Sequence, residues 1–174
     1  MKDEDSPELT EASEAPDFAA ARELFLEYAA QLQIDLCFQG FAAELDQLAT
    51  MYAPPSGCLL LARRGRRPIG CGAIRRLSGD ACEMKRLYLR PQARGTGLGR
   101  TLAERLVNRA KALGYVRMYL DTLVDMHPAR KLYVSLGFRE TAPYYDNPLP
   151  GVVYMELDLA NPNQCDCASG SAFE

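Results

Sequence analysis

The sequence predicts an α/β (α+β) domain: a mixed, mostly antiparallel sheet of six or seven strands flanked by about four helices. Three observations lead there. Short strand candidates recur with hairpin turns between them, around Arg63-Arg64-Gly65-Arg66-Arg67 and at Gly79-Asp80. Four stretches carry apolar residues at helical spacing. One strand candidate, Cys82 to Leu89, runs through a glycine-rich turn directly into a helix, without the repeated crossovers of a doubly wound sheet.

The 174 residues support one domain with one sizeable core, assigned to residues 17–159. Residues 1–16 are acidic, with Asp3, Glu4, Asp5, Glu8, Glu11 and Glu14 against Lys2; the first few are expected to be loose. An edge strand is placed near Glu8 to Ser13. Pro16-Asp17 signals a helix start, and Phe18, Ala21, Leu24, Phe25, Tyr28 and Leu32 then share a stripe. Phe41 to Met51 reads as a second helix, ended before Pro54-Pro55. Gly57 to Ala62 and Pro68 to Leu77 form a strand pair whose arginine-rich tip is read as a solvated hairpin end. The third helix, Leu98 to Leu113, carries Leu98, Leu102, Leu106, Ala110 and Leu113 on one face and stops at Gly114. Val116, Met118 and Leu120 alternate with polar residues as a strand. His127-Pro128 opens the fourth helix, with His127 assigned as its cap, and Gly137 closes it. Phe138 to Ala142 and Val152 to Leu159 supply two more strands, joined by a tyrosine-rich loop. Residues 160–174 form a polar tail whose Cys165 and Cys167 are too few ligands for a metal site.

Composition narrows the function classes. The chain is 48% hydrophobic and 25% charged, with no apolar tract long enough to span a bilayer. A net charge of −3 provides no general attraction to nucleic acid or anionic membrane. The acidic N-terminus does not read as a signal peptide. Cys37, Cys58, Cys71 and Cys82 lie in apolar segments, as buried thiols in a reducing compartment would, and a cytoplasmic location is expected.

The turn Arg90-Pro-Gln-Ala-Arg-Gly-Thr-Gly-Leu-Gly99 carries the chemistry. A glycine turn that opens a helix aims backbone N–H groups and the positive end of the helix dipole at one point, a natural seat for a phosphate or pyrophosphate. A dinucleotide fingerprint would need glycine where Arg100 stands, and a P-loop would need Gly-Lys-Ser/Thr. What the residues match is Gln/Arg-x-x-Gly-x-Gly/Ala, as Gln92-Ala93-Arg94-Gly95-Thr96-Gly97.

Downstream, Ala129-Arg130-Lys131-Leu132-Tyr133-Val134-Ser135-Leu136-Gly137-Phe138 fits a second signature, Ala-x-x-Leu-Tyr-x-x-x-Gly-Phe. Upstream, Glu83 to Leu89 fits the central strand that leads into such a turn. With both motifs in order, the chain from about Cys58 to Leu159 resembles the GNAT superfamily of acyl-CoA-dependent N-acetyltransferases. The resemblance implies a GNAT-like fold and an N-acetyltransferase that moves an acetyl group from acetyl-CoA to a primary amine. Direct attack in a ternary complex suffices, and no metal is required. A non-catalytic acyl-CoA-binding sensor or partner module is the alternative.

The resemblance also implies site residues. Arg94, Gly95, Thr96, Gly97, Leu98 and Gly99 would line the pyrophosphate, and Leu87, Tyr88 and Leu89 would meet the acyl and pantetheine groups. Tyr133 would protonate the leaving thiolate; its plain alternative is a core tyrosine packed between Ala129 and Leu136. Glu83 would be the base, against the alternative of an ion pair with Lys85 or Arg86. Met126 stands where many members carry an asparagine. Tyr144, Tyr145 and Asp146 would face a small amine, amino acid or peptide acceptor, beside the first two helices and the loop containing Ile34, Leu36, Cys37, Phe38 and Phe41.

Overall fold

The structure is a computed structural model that describes residues 6–37 and 40–160. Seven strands form one sheet: β1 (Glu8–Glu11), β2 (Cys58–Arg64), β3 (Arg67–Ser78), β4 (Ala81–Leu89), β5 (Arg117–Leu123), β6 (Arg139–Thr141) and β7 (Val152–Asp158). Among the described residues five α-helices accompany them: α1 (Ala15–Leu32), α2 (Phe41–Asp46), α3 (Leu48–Met51), α4 (Leu98–Ala112) and α5 (His127–Ser135). The strand order is β1-β2-β3-β4-β5-β7-β6, antiparallel throughout except for the β4–β5 pair. The mostly antiparallel mixed sheet expected from the sequence is present.

Burial on both faces explains the unbroken apolar run of β2. Cys58, Leu60 and Ala62 join Leu102, Leu106, Tyr133 and Phe138 beneath α4 and α5. Leu59 and Leu61 join Leu24, Phe25, Leu48 and Tyr52 beneath α1 and α3. Alternate residues of one strand thus feed two cores, as the period-2 pleat requires.

Local chemistry sets the ends. Asp17 Oδ2 accepts from the backbone N–H groups of Ser13 and Glu14, capping α1. Gly114 follows α4 at φ 86, in the left-handed region where glycine is favoured. Three details differ from expectation. The Phe41–Met51 stretch breaks at Gln47 into two short helices, because that residue leaves helical geometry at φ −123. The arginine hairpin turns within Gly65-Arg66, and Arg63 reaches back into a 2.9 Å ion pair with Asp17 rather than lying in solvent. His127 is the first residue of α5, while Met126 holds the cap position without a side-chain cap bond.

Cys58, Cys71 and Cys82 are buried free thiols, whereas Cys37 is exposed. Cys165, Cys167, Phe38 and the first five residues lie outside the described residues. No described helix is long and apolar enough to cross a membrane.

Candidate active site

The turn between β4 and α4 is built to receive an anion. Pro91–Ala93 forms one 3-10 turn, after which Gly95 at φ 74 and Gly97 at φ 83 reverse the chain into α4. Both conformations suit glycine, and a Cβ at either position would meet nothing within 4 Å. The first α4 backbone donor with an acceptor is Thr101, to Gly97 O at 3.1 Å. From Gly95 to Arg100, no backbone N–H has an acceptor among the described residues. A run of open donors at a helix N-terminus is the chemical complement of a pyrophosphate, so the residues present fit the CoA end of acetyl-CoA.

Arg94 turns away from this opening. Its guanidinium donates to Leu89 O at 2.9 Å and Gln31 Oε1 at 2.6 Å, and lies 5.8 Å from the Tyr88 ring centre. It ties the turn to α1. Arg90 does the same one turn earlier through Glu27, whose carboxyl its hydrogen bonds hold below the usual range. The Tyr88 side chain likewise faces α1, packing against Tyr28. Arg100, in the first turn of α4, reaches α5 and donates to Ser135 Oγ at 2.6 Å.

Beside the turn the sheet opens. The parallel β4–β5 ladder holds only from Ala81↔Arg117 to Glu83↔Tyr119. Beyond it the strands part, leaving Lys85 to Leu87 of β4 and Leu120 to Leu123 of β5 along a cleft. Opposite this opening β4 bulges: Cys71 pairs with Tyr88 and Ala73 with Lys85, so Gly72 faces both Arg86 and Leu87. A Cβ on Gly72 would lie 2.7 Å from Leu106 Cδ1, so that side chain would have to move to admit one.

Tyr133 from α5 lines this cleft, as do Tyr28, Asp121, Met126 and Asn147. Its ring packs edge-on against Phe138 at 5.7 Å. Burial raises its phenol pKa, with Tyr28 and Asp121 adding to the effect, so it keeps its proton at neutral pH. Tyr133 is therefore both a core tyrosine and a cleft residue.

Glu83 is buried among donors. Arg75 Nε and Nη2 each lie 2.8 Å from Oε2, Tyr144 Oη donates to Oε1 at 2.9 Å, and Lys85 Nζ stands 3.8 Å from Oε1. The ion-pair alternative to its role as base is thus physically present, with Arg75 and Lys85 as partners. Asp121, which the sequence reading passed over as an acceptor-site residue, lines the cleft; burial raises its pKa above the ordinary carboxylate range, as does Glu83, against Lys85. Burial also lowers the pKa of Lys85.

The β6–β7 loop is packed down rather than spread open. Tyr144 packs tilted against Tyr119 and Tyr145 and edge-on against Tyr154, with ring centres 5.1 to 5.4 Å apart. Asn147 donates to Tyr145 Oη at 2.8 Å and is the member of Tyr144-Tyr145-Asp146-Asn147 that lines the cleft. Asp146 makes none of these contacts.

Sequence reasoning missed Glu44. This α2 carboxylate is buried and accepts from Arg86 Nε at 3.0 Å, Arg86 Nη2 at 2.6 Å and Tyr52 Oη at 2.6 Å. Those bonds keep its pKa below the usual value although burial opposes them. A helix position gives no signal that its side chain will be covered by a strand 42 residues away.

Comparison with known proteins decides the family. Residues 18–138 match the model of the acetyltransferase (GNAT) family. The chain belongs to the GNAT family. An uncharacterized N-acetyltransferase of Schizosaccharomyces pombe is 44% identical over 139 residues, covering 79% of this chain and 85% of that protein. An IAA acetyltransferase of Azospirillum brasilense is 35% identical, over 68% of this chain and 80% of that one. Among solved structures, a Salmonella typhimurium protein with its cofactor acetyl-CoA aligns at a TM-score of 0.63 and 22% identity, covering 92% and 99% of the two chains. This GNAT protein is thereby placed among acetyl-CoA-dependent N-acetyltransferases. Among its described residues no group of three or more His, Cys, Asp or Glu is placed to hold a metal ion.

Proposed function

We propose that this protein moves an acetyl group from acetyl-CoA to the primary amine of a small acceptor, an amine, amino acid or peptide, by direct attack in a ternary complex. The observation that carries the reading is a juxtaposition along one strand: β4 ends at the open N–H turn Gly95–Arg100, and before that turn it parts from β5 beside a cleft lined by Tyr133 and Asp121. Acetyl-CoA would bring an activated thioester to that cleft.

Each residue then has a task. Within the turn Arg94–Gly99 the open backbone donors from Gly95 onward hold the pyrophosphate, and Leu87, Tyr88 and Leu89 present strand backbone where β5 has withdrawn. Tyr133, kept protonated by burial, donates to the leaving thiolate. An ammonium acceptor must lose a proton. Asp121 faces the cleft to take it, and Glu83 shares that carboxylate cluster through Lys85 and the tyrosines. On the acceptor side Asn147 lines the cleft, backed by Tyr145 at 2.8 Å, while Tyr144 is held on Glu83 and not in the wall where the sequence placed Tyr144, Tyr145 and Asp146. A cytoplasmic location is part of the proposal, supported by free thiols at Cys37, Cys58, Cys71 and Cys82.

Thiol release from acetyl-CoA across free amines, amino acids and short peptides, with product masses, tests the reading. Acetylated product from one class confirms it and names the acceptor. Tight acetyl-CoA binding with no product from any class replaces it with the sensor reading.

A further inference from the structure

Arg86 carries an uncommon backbone. At φ 57 it is one of two non-glycine residues with positive φ among the described residues, and it occupies the bulge of β4. Glycine normally takes the left-handed position of such a bulge, since a Cβ crowds the neighbouring carbonyl there. A larger residue persists in that conformation only where its surroundings over-determine it.

The surroundings of Arg86 do so. Its guanidinium is held by both Glu44 oxygens, at 3.0 and 2.6 Å, and lies 5.1 Å from the Phe41 ring centre. Tyr52 also donates to Oε1 of this carboxylate, at 2.6 Å. The paired side chains are 4% and 2% exposed. A buried ion pair is poor value for stability alone, because apolar residues of similar volume do as well. What this one adds is geometry. It fixes the backbone within the stretch of β4 that has parted from β5, beyond the end of their ladder at Glu83 and immediately before Leu87.

We propose that Glu44 is a positioning residue: through Arg86 it clamps the β4 bulge and so aims the backbone at Leu87 toward the acyl group in the cleft. The ligand in this statement rests on the acetyl-transfer reading; the clamp does not. Glu44 thereby also couples α2 to the strand that bounds the cleft.

The test is Glu44→Ala alone and combined with Arg86→Gly, followed by hydrogen–deuterium exchange and by calorimetry with acetyl-CoA and with CoA. In Glu44→Ala, exchange in residues 84–90 is expected to rise about tenfold while residues 58–64 are unchanged. Acetyl-CoA affinity should fall toward that of CoA. Adding Arg86→Gly should restore both, because glycine adopts the bulge conformation without a clamp and removes the unpaired guanidinium. Where Glu44→Ala does not fold, Glu44→Leu fills the site and the same rescue is measured. Uniformly faster exchange across the sheet, or no rescue by glycine, overturns the proposal and leaves Glu44 with a packing role. Local exchange that responds and is rescued, in a protein that binds neither acetyl-CoA nor CoA, keeps the clamp and removes the acetyl-transfer reading instead.

Discussion

Tyr144 donates its phenol proton to Glu83 Oε1 across 2.9 Å, joining residues 61 apart in the chain. With Arg75 on the other carboxylate oxygen, the bond locks the β6–β7 loop onto the central strand. Tyr144→Phe removes one donor from a buried carboxylate, which costs about 1–3 kcal/mol. Thermal unfolding should show a clear drop in Tm. An unchanged Tm would mean that the loop is held by its ring contacts alone.

Tyr133→Phe keeps the ring against Phe138 and deletes only the proton donor. Turnover is expected to fall about 10²–10⁴-fold, the usual worth of a positioned general acid. Acetyl-CoA affinity by calorimetry should change little. Equal turnover of variant and wild type would return Tyr133 to a packing role.

Asp121 and Glu83 are separated by pH. A base must be ionised, so the acidic limb of kcat/KM follows the carboxyl that takes the proton. Burial raises the pKa of Asp121, so the limb should lie above the ordinary aspartate value, with activity lost as pH falls through it. Asp121→Asn should remove that limb along with most of the rate, whereas Glu83→Gln should keep it. A pH–rate profile with the opposite pattern would transfer the role to Glu83. For stability the sign is reversed. A carboxyl with a raised folded pKa favours folding below its unfolded value near 3.8, and that contribution is lost as pH rises through the folded pKa.

Gly97→Glu places a carboxylate in the ring of open N–H groups and a Cβ at φ 83. Acetyl-CoA binding should be abolished; the left-handed backbone at Gly97 costs about 1–2 kcal/mol with a side chain, but the new Cβ meets nothing within 4 Å and the fold survives. Retained affinity in a titration would show that the pyrophosphate sits elsewhere.

Gly70→Ala tests the sheet instead. Its Cβ would come within 2.9 Å of Tyr88 O and would also meet the Leu89 side chain, so β3 and β4 must shift. The expected cost is about 1–3 kcal/mol, seen as a lower denaturant midpoint. No loss would mean that the strands separate freely at this point.

The parts of this protein legible in its sequence are those with short-range causes. The glycine turn at Gly95–Gly99, the α4 stripe of Leu98, Leu102 and Leu106, and the alternation of β5 each follow from residues within a few positions of one another. Backbone freedom, helical spacing and the strand pleat are local properties, and they sufficed to place the motifs and point to the family. Tertiary structure decided which polar groups were removed from water and against what. It buried Glu44 on Arg86 and closed Glu83 between Arg75 and Tyr144. It turned Arg94 toward Leu89 and Gln31, and brought Asp121 to the cleft. Charge pairing in a low-dielectric interior depends on distances between side chains far apart in sequence, and those distances exist only once the sheet has formed.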